Sequence, residues 1–256
     1  DLAVLKVSPA GDILWSKEYA PAKGRSPATP SVPSDQCGWA ALAALEDGGA
    51  LAAFGDILLR VDRNGRPGWA YAFRTSGAGS GGRPGSLTLK RVSVLGSKSF
   101  AVAGVYTPPP KGKSQAAIFA ARVGADGAVA WARAYPELQP SERPSFLVAP
   151  KGAWILGSEP ESIAGVDPKT GEAVWAWRVI DQPFQRGLKE RPDIGSLLDY
   201  RTLGLASNGD IIFSGVYNLS WTTYKAPGIL IARLNPAGSG VKWTTRFHGP
   251  YHGGFG

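Results

Sequence analysis

The chain has two histidines, His248 and His252, four residues apart. On a helix, that spacing would place both imidazoles on one face as a metal pair. Here they stand in His-Gly-Pro-Tyr-His-Gly-Gly-Phe-Gly, a composition that reads as a flexible tail rather than a helix, and no partner carboxylate accompanies them. Gly77-Ala-Gly-Ser-Gly-Gly82 matches G-x-G-x-x-G literally. It runs into Arg83-Pro84-Gly85 instead of a helix, so the dipole that would hold a pyrophosphate is missing. Gly112-Lys113-Ser114 copies the end of a P-loop, but Thr107 stands where the first glycine belongs. Cys37 is the only cysteine, which rules out an internal disulfide and a cysteine-based metal cluster. No serine lies in G-x-S-x-G, and no cysteine–histidine pair has a workable geometry. Asn218-Leu219-Ser220 is a glycosylation sequon on an expected loop. The expectation is therefore no catalytic residue, no metal site and no cofactor.

What remains is recognition chemistry, carried by large rings and cations on the longer connections. Those connections are expected at 20–36, 75–86, 106–114, 136–144, 180–199 and 216–227. Tyr106, Phe184, Arg186, Arg191, Tyr217, Trp221, Tyr224 and Lys225, with Lys189 beside them, are the candidate binding residues. Aromatic rings next to arginine are the usual anchors of an interface. The competing reading is that these rings pack down onto their own loops.

The net charge is +8, from 28 basic and 20 acidic residues. A basic chain invites a nucleic-acid reading, but the cations here are scattered singly. Lys6, Arg60, Arg122 and Arg233 instead recur at one position, each five residues before a glycine. That reads as a structural position on a strand, so no nucleic-acid partner is expected; anionic headgroups or acidic polysaccharide stay open as ligands. No run approaches 18 apolar residues, so no transmembrane segment is expected. The sequence lacks methionine and starts inside a repeat, and is taken as a mature or partial chain.

The elements that must position these residues come from one repeated cassette, clearest in Ala116–Tyr135. An apolar run meets a basic residue, turns at a glycine and returns through a tryptophan. The turn glycines are Gly11, Gly65, Gly127, Gly171 and Gly238. Trp15, Trp69, Trp131 and Trp175 follow four residues later, and Trp243 five. Four beyond each tryptophan comes Tyr19, Phe73, Tyr135, Val179 or Phe247. Spacing this regular marks one supersecondary unit used repeatedly. A second motif precedes four of the cassettes: an apolar run, a tight polar turn such as Asp47-Gly48-Gly49 or Ser207-Asn208-Gly209, then a second apolar run. It reads as a hairpin.

Hairpin plus cassette makes four antiparallel strands. The predicted fold is a single all-β β-propeller domain over 1–256, with a half blade at 1–19 and full blades at 37–73, 87–135, 145–179 and 200–247. That makes about five blades, the first incomplete, or part of a larger ring. Runs such as Ala116–Ala121 carry little polar alternation, as expected of a sheet covered on both faces. Each tryptophan is expected to wedge between blades. Asp62, Asp126 and Asp167 belong to turns, where a carboxylate caps local backbone. The short turns fall at one end of each blade and the long connections at the other.

Val166-Asp-Pro-Lys-Thr-Gly-Glu-Ala-Val-Trp175 resembles the Asp-x-x-Thr-Gly-x-x-x-Trp repeat of the PQQ-like (quinoprotein-like) propellers. The other copies, such as Leu59–Gly65 with Trp69, resemble the repeats of bacterial extracellular β-propellers. The resemblance covers nearly the whole chain and implies an extracytoplasmic setting: periplasm, cell surface or secreted. Its members include quinone-dependent dehydrogenases and non-catalytic proteins that hold partners. The adjacent cysteine pair common in those dehydrogenases cannot occur with one cysteine. The functional expectation is a non-catalytic module that binds or scaffolds another protein through its long-loop face. Carbohydrate binding at Trp221 and neighbouring tyrosines is the alternative, followed by a fragment of a quinone-dependent dehydrogenase.

Overall fold

A computed structural model of the chain describes residues 2–20, 40–73, 85–96, 98–109, 116–138, 145–148, 154–158, 162–178, 197–221, 224–235 and 241–248. All regular structure among the described residues is β. The strands are β1 (Leu2–Val7), β2 (Ile13–Tyr19), β3 (Ala40–Ala44), β4 (Ala50–Phe54), β5 (Ile57–Val61) and β6 (Pro67–Ala72). They continue as β7 (Ser86–Val94), β8 (Ser99–Thr107), β9 (Ala117–Gly124), β10 (Val129–Tyr135), β11 (Ser145–Val148) and β12 (Trp154–Ser158). The last six are β13 (Ser162–Val166), β14 (Ala173–Arg178), β15 (Leu197–Leu205), β16 (Ile211–Trp221), β17 (Tyr224–Leu234) and β18 (Val241–His248).

They form one two-stranded sheet, β1-β2, and four four-stranded antiparallel meanders, β3–β6, β7–β10, β11–β14 and β15–β18. This is a partial β-propeller with a half blade followed by four full blades, as the cassettes predict. The chain divides into two compact units, Asp1–Pro136 and Glu137–Gly256.

Each cassette is a hairpin whose turn the sequence dictates. Asp62 accepts hydrogen bonds from the backbone N–H of Asn64 and Arg66, both at 2.8 Å. This Asx arrangement closes the turn only if Gly65 adopts the left-handed region, and its φ is +74°. Gly127 repeats the geometry at φ +86°. Beyond the turn the register shifts by one residue at Lys6/Val7, Arg60/Val61, Val129/Trp131, Gly165/Val166 and Arg233/Leu234. A β-bulge therefore recurs in every cassette hairpin, and bulges re-aim the side chains beside them. Its result is a fixed pairing: Trp15 opposite Lys6, Trp69 opposite Arg60, Trp131 opposite Arg122 and Trp243 opposite Arg233. Only the fourth copy differs, with Trp175 opposite Gly165, where an added Cβ would run into the indole.

In the first unit the tryptophan joins one blade to the next. Trp15 donates its Nε1–H to the carbonyl of Arg63 at 2.9 Å, and Trp69 donates to that of Ala125 at 2.9 Å. Each acceptor lies two residues before the next blade's turn glycine. The rings lie against those glycines: a Cβ at Gly65 would sit 3.1 Å from Trp15, and one at Gly127 would sit 2.9 Å from Trp69. The cross-strand cation goes the same way. Lys6 Nζ reaches the carbonyl of Gly48 at 2.8 Å, and Arg60 Nη1 reaches that of Ala125 at 3.0 Å. Tyr19 adds an O–H bond to the Gly65 carbonyl at 2.8 Å.

Apolar faces fill the joints. Leu2 and Val4 of the half blade pack with Ala52, Leu59 and Val61. Leu51, Ala53, Leu58 and Phe73 pack with Leu89, Phe100, Val102, Phe119 and Val123. Phe73 meets Phe119 edge-on at 5.4 Å. Burial is greatest in the inner strands, with every residue from Ser99 to Gly104 of β8 buried, while β6 is exposed apart from Trp69. In the second unit, Trp154, Ile155, Leu156, Ile163 and Ala164 are buried in one blade, and Ile211, Phe213, Ala232 and Leu234 in the other.

Two expectations need correction. Val216–Pro227 is not a long connection: β16 and β17 run straight through it, paired from Ile211↔Leu234 to Trp221↔Tyr224. Nor does every tryptophan lie between blades. Trp131 is buried, whereas Trp243 is 42% exposed.

Trp69→Ala is expected to lower unfolding stability by about 3 kcal/mol in urea denaturation, the usual cost of truncating a packed aromatic. Trp69→Phe should cost only about 1 kcal/mol, because it keeps apolar area and loses one N–H bond while Arg60 still satisfies the Ala125 carbonyl. Equal stability of Trp69→Ala and wild type would remove the indole from the joint.

Candidate functional site

The carboxylates come first, since any acid–base or metal chemistry would need them free. Asp62 and Asp167 have their carboxyls held below the ordinary aspartate value, Asp62 by the Arg66 and Asn64 amides and Asp167 by those of Lys169 and Thr170. Asp126 accepts from the Ala128 amide at 3.0 Å. Asp47 accepts from the Gly49 amide at 2.8 Å and pairs with Arg60 at 2.8 Å, which together lower its pKa. The bonds of Asp62, Asp126 and Asp167 are the turn caps that the sequence predicts. Among the described residues no three His, Cys, Asp or Glu side chains gather at metal-ligating distance.

Sequence reasoning missed Asp210, the one buried charged side chain among the described residues, at 2% exposure. It stands at the start of β16, where a turn ends, and gathers three partners. Lys242 Nζ lies 2.8 Å from Oδ1, Arg233 Nε 2.6 Å from Oδ2, and Asn208 Nδ2 3.0 Å from Oδ2. Its pKa falls to about 2, first through the Lys242 bond and then through Asn208 and Arg233, against the cost of burial. Such a carboxylate stays ionised and saturated with donors, so it braces the hairpin and is no general base. The four recurrent cations are all engaged in this way: Lys6 and Arg60 on the following blade, Arg122 on Ser99 Oγ at 3.5 Å, and Arg233 on Asp210.

With the repeat's polar groups committed to architecture, the connections distinguish the two ends of a blade. At the end holding the cassette turns, the nine connections (8–12, 45–49, 62–66, 95–98, 125–128, 149–153, 167–172, 206–210 and 235–240) are all four to six residues long. At the opposite end, the stretches between successive described strands are 20–39, 55–56, 73–85, 108–116, 136–144, 159–161, 179–196 and 222–223, from two residues to twenty.

The candidate binding residues separate accordingly. Tyr106 lies near the end of β8, partly buried against the core of the second and third blades, and its ring covers Gly85. Tyr217, Trp221, Tyr224 and Lys225 stand on paired strands instead of a loop, with Trp221 opposite Tyr224 and Ser220 opposite Lys225. β15 pairs with β16 only as far as Tyr217, and β18 with β17 only from Gly228. Residues 218–221 and 224–227 thus continue beyond the four-stranded sheet as a two-stranded ribbon. The sequon Asn218–Ser220 lies on this ribbon. Phe184, Arg186, Lys189 and Arg191 fall outside the described residues, as do Cys37, Gly77–Gly82, Gly112–Ser114 and His252. His248 closes strand β18 opposite Gly228, so the strand takes in the first residue of the expected tail.

No family model matches the chain, and no curated protein matches it. Among solved structures it is similar to BamB from Moraxella catarrhalis, at 13% identity and a TM-score of 0.47, over 96% of this chain and 66% of that one. It is also similar to the quinohemoprotein alcohol dehydrogenase from Comamonas testosteroni, at 14% identity and a TM-score of 0.48, over 81% of this chain and 36% of that one. A second quinohemoprotein alcohol dehydrogenase, from Pseudomonas putida, matches at 16% identity and a TM-score of 0.41, over 77% of this chain and 33% of that one. The chain thus spans about two thirds of BamB and about a third of each dehydrogenase. No helix among the described residues is long and apolar enough to cross a membrane.

Asp210→Asn is expected to lower the melting temperature near neutral pH. A carboxyl held at about 2, against an ordinary 3.8, adds stability above the ordinary value and loses it as pH falls toward 2. The melting gap between wild type and variant should therefore close between those two values in thermal denaturation. A gap that persists unchanged at low pH would show that the charge is not what Asp210 contributes.

Proposed function

We propose that this chain is a non-catalytic, extracytoplasmic β-propeller that binds another protein, and does so through the blade ends that carry the variable connections. One observation supports this above the others: connections at one end keep four to six residues while those at the other range from two to twenty. A repeat that conserves its own packing fixes the first set, and a scaffold that presents recognition segments frees the second. The ribbon that carries Tyr217, Trp221, Tyr224 and Lys225 belongs to the variable end, and it and the sequence Phe184–Arg191 between β14 and β15 carry the rings and cations that anchor interfaces. The extracytoplasmic setting rests on the likeness of the cassettes to extracellular propeller repeats. The proposed absence of a catalytic role is supported by Asp47, Asp62, Asp126, Asp167 and Asp210, which serve as turn caps and braces.

The test is cross-linking mass spectrometry in the native envelope fraction, comparing wild type with a variant whose 179–196 segment and 218–227 ribbon tip are replaced by short turns. Loss of one specific cross-linked partner, with the melting temperature unchanged, is the expected result. Undiminished recovery of that partner would overturn the proposal, as would dye-linked alcohol oxidation by the chain with added PQQ and Ca²⁺.

A further inference from the structure

The two joints of the first unit differ in what the cassette cation does. In the first, Lys6 crosses to the second blade and serves both of its turns, with Nζ 2.8 Å from the Gly48 carbonyl and 3.3 Å from that of Arg63. In the second, Arg60 serves one turn of the third blade, through Nη1 to the Ala125 carbonyl at 3.0 Å. Its Nη2 turns back to Asp47 of its own blade, at 2.8 Å. The reason lies in the third blade. Lys98 matches Gly48, since the Leu95 N–H bonds the Ser99 carbonyl as the Leu45 N–H bonds that of Gly49. The Lys98 carbonyl already accepts the Ala125 N–H at 3.0 Å, so it does not need the cation that Gly48 takes from Lys6.

At that place a cleft of about 320 Å³ opens between the 45–49 turn of the second blade and the 95–98 turn of the third. Leu45, Val94 and Phe100 form its apolar lining, with Phe100 only 2% exposed. Gly96 keeps the mouth clear, because a Cβ there would meet nothing within 4 Å. The rim is acidic. Asp47 is engaged by the Gly49 amide and Arg60, whereas Glu46 is exposed and makes no hydrogen bond or ion pair with the described residues. Two carboxylates thus face one guanidinium, a negative spot on a chain of net charge +8. The cleft lies wholly inside the first unit, between two complete blades.

The geometry points to a binding site in this cleft for a small aliphatic primary amine, its methylenes on Leu45, Val94 and Phe100 and its ammonium on the Glu46 carboxylate. Apolar lining below a free carboxylate fits an ammonium on a hydrocarbon stem, the amphipathic build of a lysine side chain. Lys6 is the internal precedent, since it carries such a group across the preceding joint. Acidic ligands are repelled by the rim, and a neutral hydrocarbon leaves Glu46 unused. The site is separate from the protein-binding face proposed above, because it lies among the short turns at the opposite end of the blades.

Titration of n-pentylammonium into isotope-labelled protein, followed by backbone amide NMR, tests it. Saturable shifts are expected at Leu45, Val94 and Gly96, in the millimolar range suited to so few ligand atoms. n-Pentanol, which keeps the stem and loses the charge, should bind about fivefold more weakly, the upper end for a surface ion pair. Methylammonium, which keeps the charge and loses most of the stem, should bind more than about tenfold more weakly. Glu46→Gln should reduce n-pentylammonium binding to the level of n-pentanol. The two comparison ligands make the test on the unaltered chain, so it does not depend on how the variant folds. Shifts that fail to saturate at these amides would overturn the proposal. So would pentanol or methylammonium binding as tightly as n-pentylammonium, or a folded Glu46→Gln chain that binds like wild type.

Discussion

The first unit is held together by one joint: an indole on a glycine turn, with its N–H on the carbonyl two residues earlier. A sheet buried on both faces has no polar edge of its own to register against its neighbour, and apolar stacking alone is non-directional. The indole supplies the missing direction, since it is large enough to be buried and still carries one donor that must find an acceptor. The glycine is required from both sides. Its positive φ makes the turn, and its missing Cβ lets the ring come down on the backbone. Trp15 on Gly65 and Trp69 on Gly127 repeat this arrangement nearly atom for atom.

That constraint also explains the basic residue opposite each tryptophan. The bulge that follows the cation places indole and cation side by side, and in the first two copies both reach the next blade. Positive charge in this chain is thus partly an architectural device. In the fourth copy Gly165 replaces the cation and the ring lies over the vacated space. The fifth copy turns its cation inward onto Asp210 and leaves its tryptophan exposed.

Most of this architecture was legible in the sequence because glycine and tryptophan are hard to substitute in their roles, so their spacing survives while everything between drifts. Asp62, Asp126 and Asp167 were readable as caps for the same reason. The bulge was not readable, since it inserts a residue without a compositional mark. Asp210 was hidden because its partners, Arg233 and Lys242, lie far along the chain and only strand pairing brings them together. Val216–Pro227 misled through its polar and aromatic mixture, which suits a loop and equally suits a ribbon that has outrun its sheet. Tyr106 looked like a loop ring, but β8 extends far enough to draw it into the core. The recognition segments themselves follow no repeat, so sequence periodicity could locate them without saying what they bind.

The most direct measurement is hydrogen exchange at the indole N–H groups, followed by NMR. Trp15 and Trp69, whose donors are committed to the next blade's backbone, should exchange orders of magnitude more slowly than Trp243. Exchange of Trp69 as fast as that of Trp243 would contradict the account at its centre, because no indole would then be holding one blade to the next.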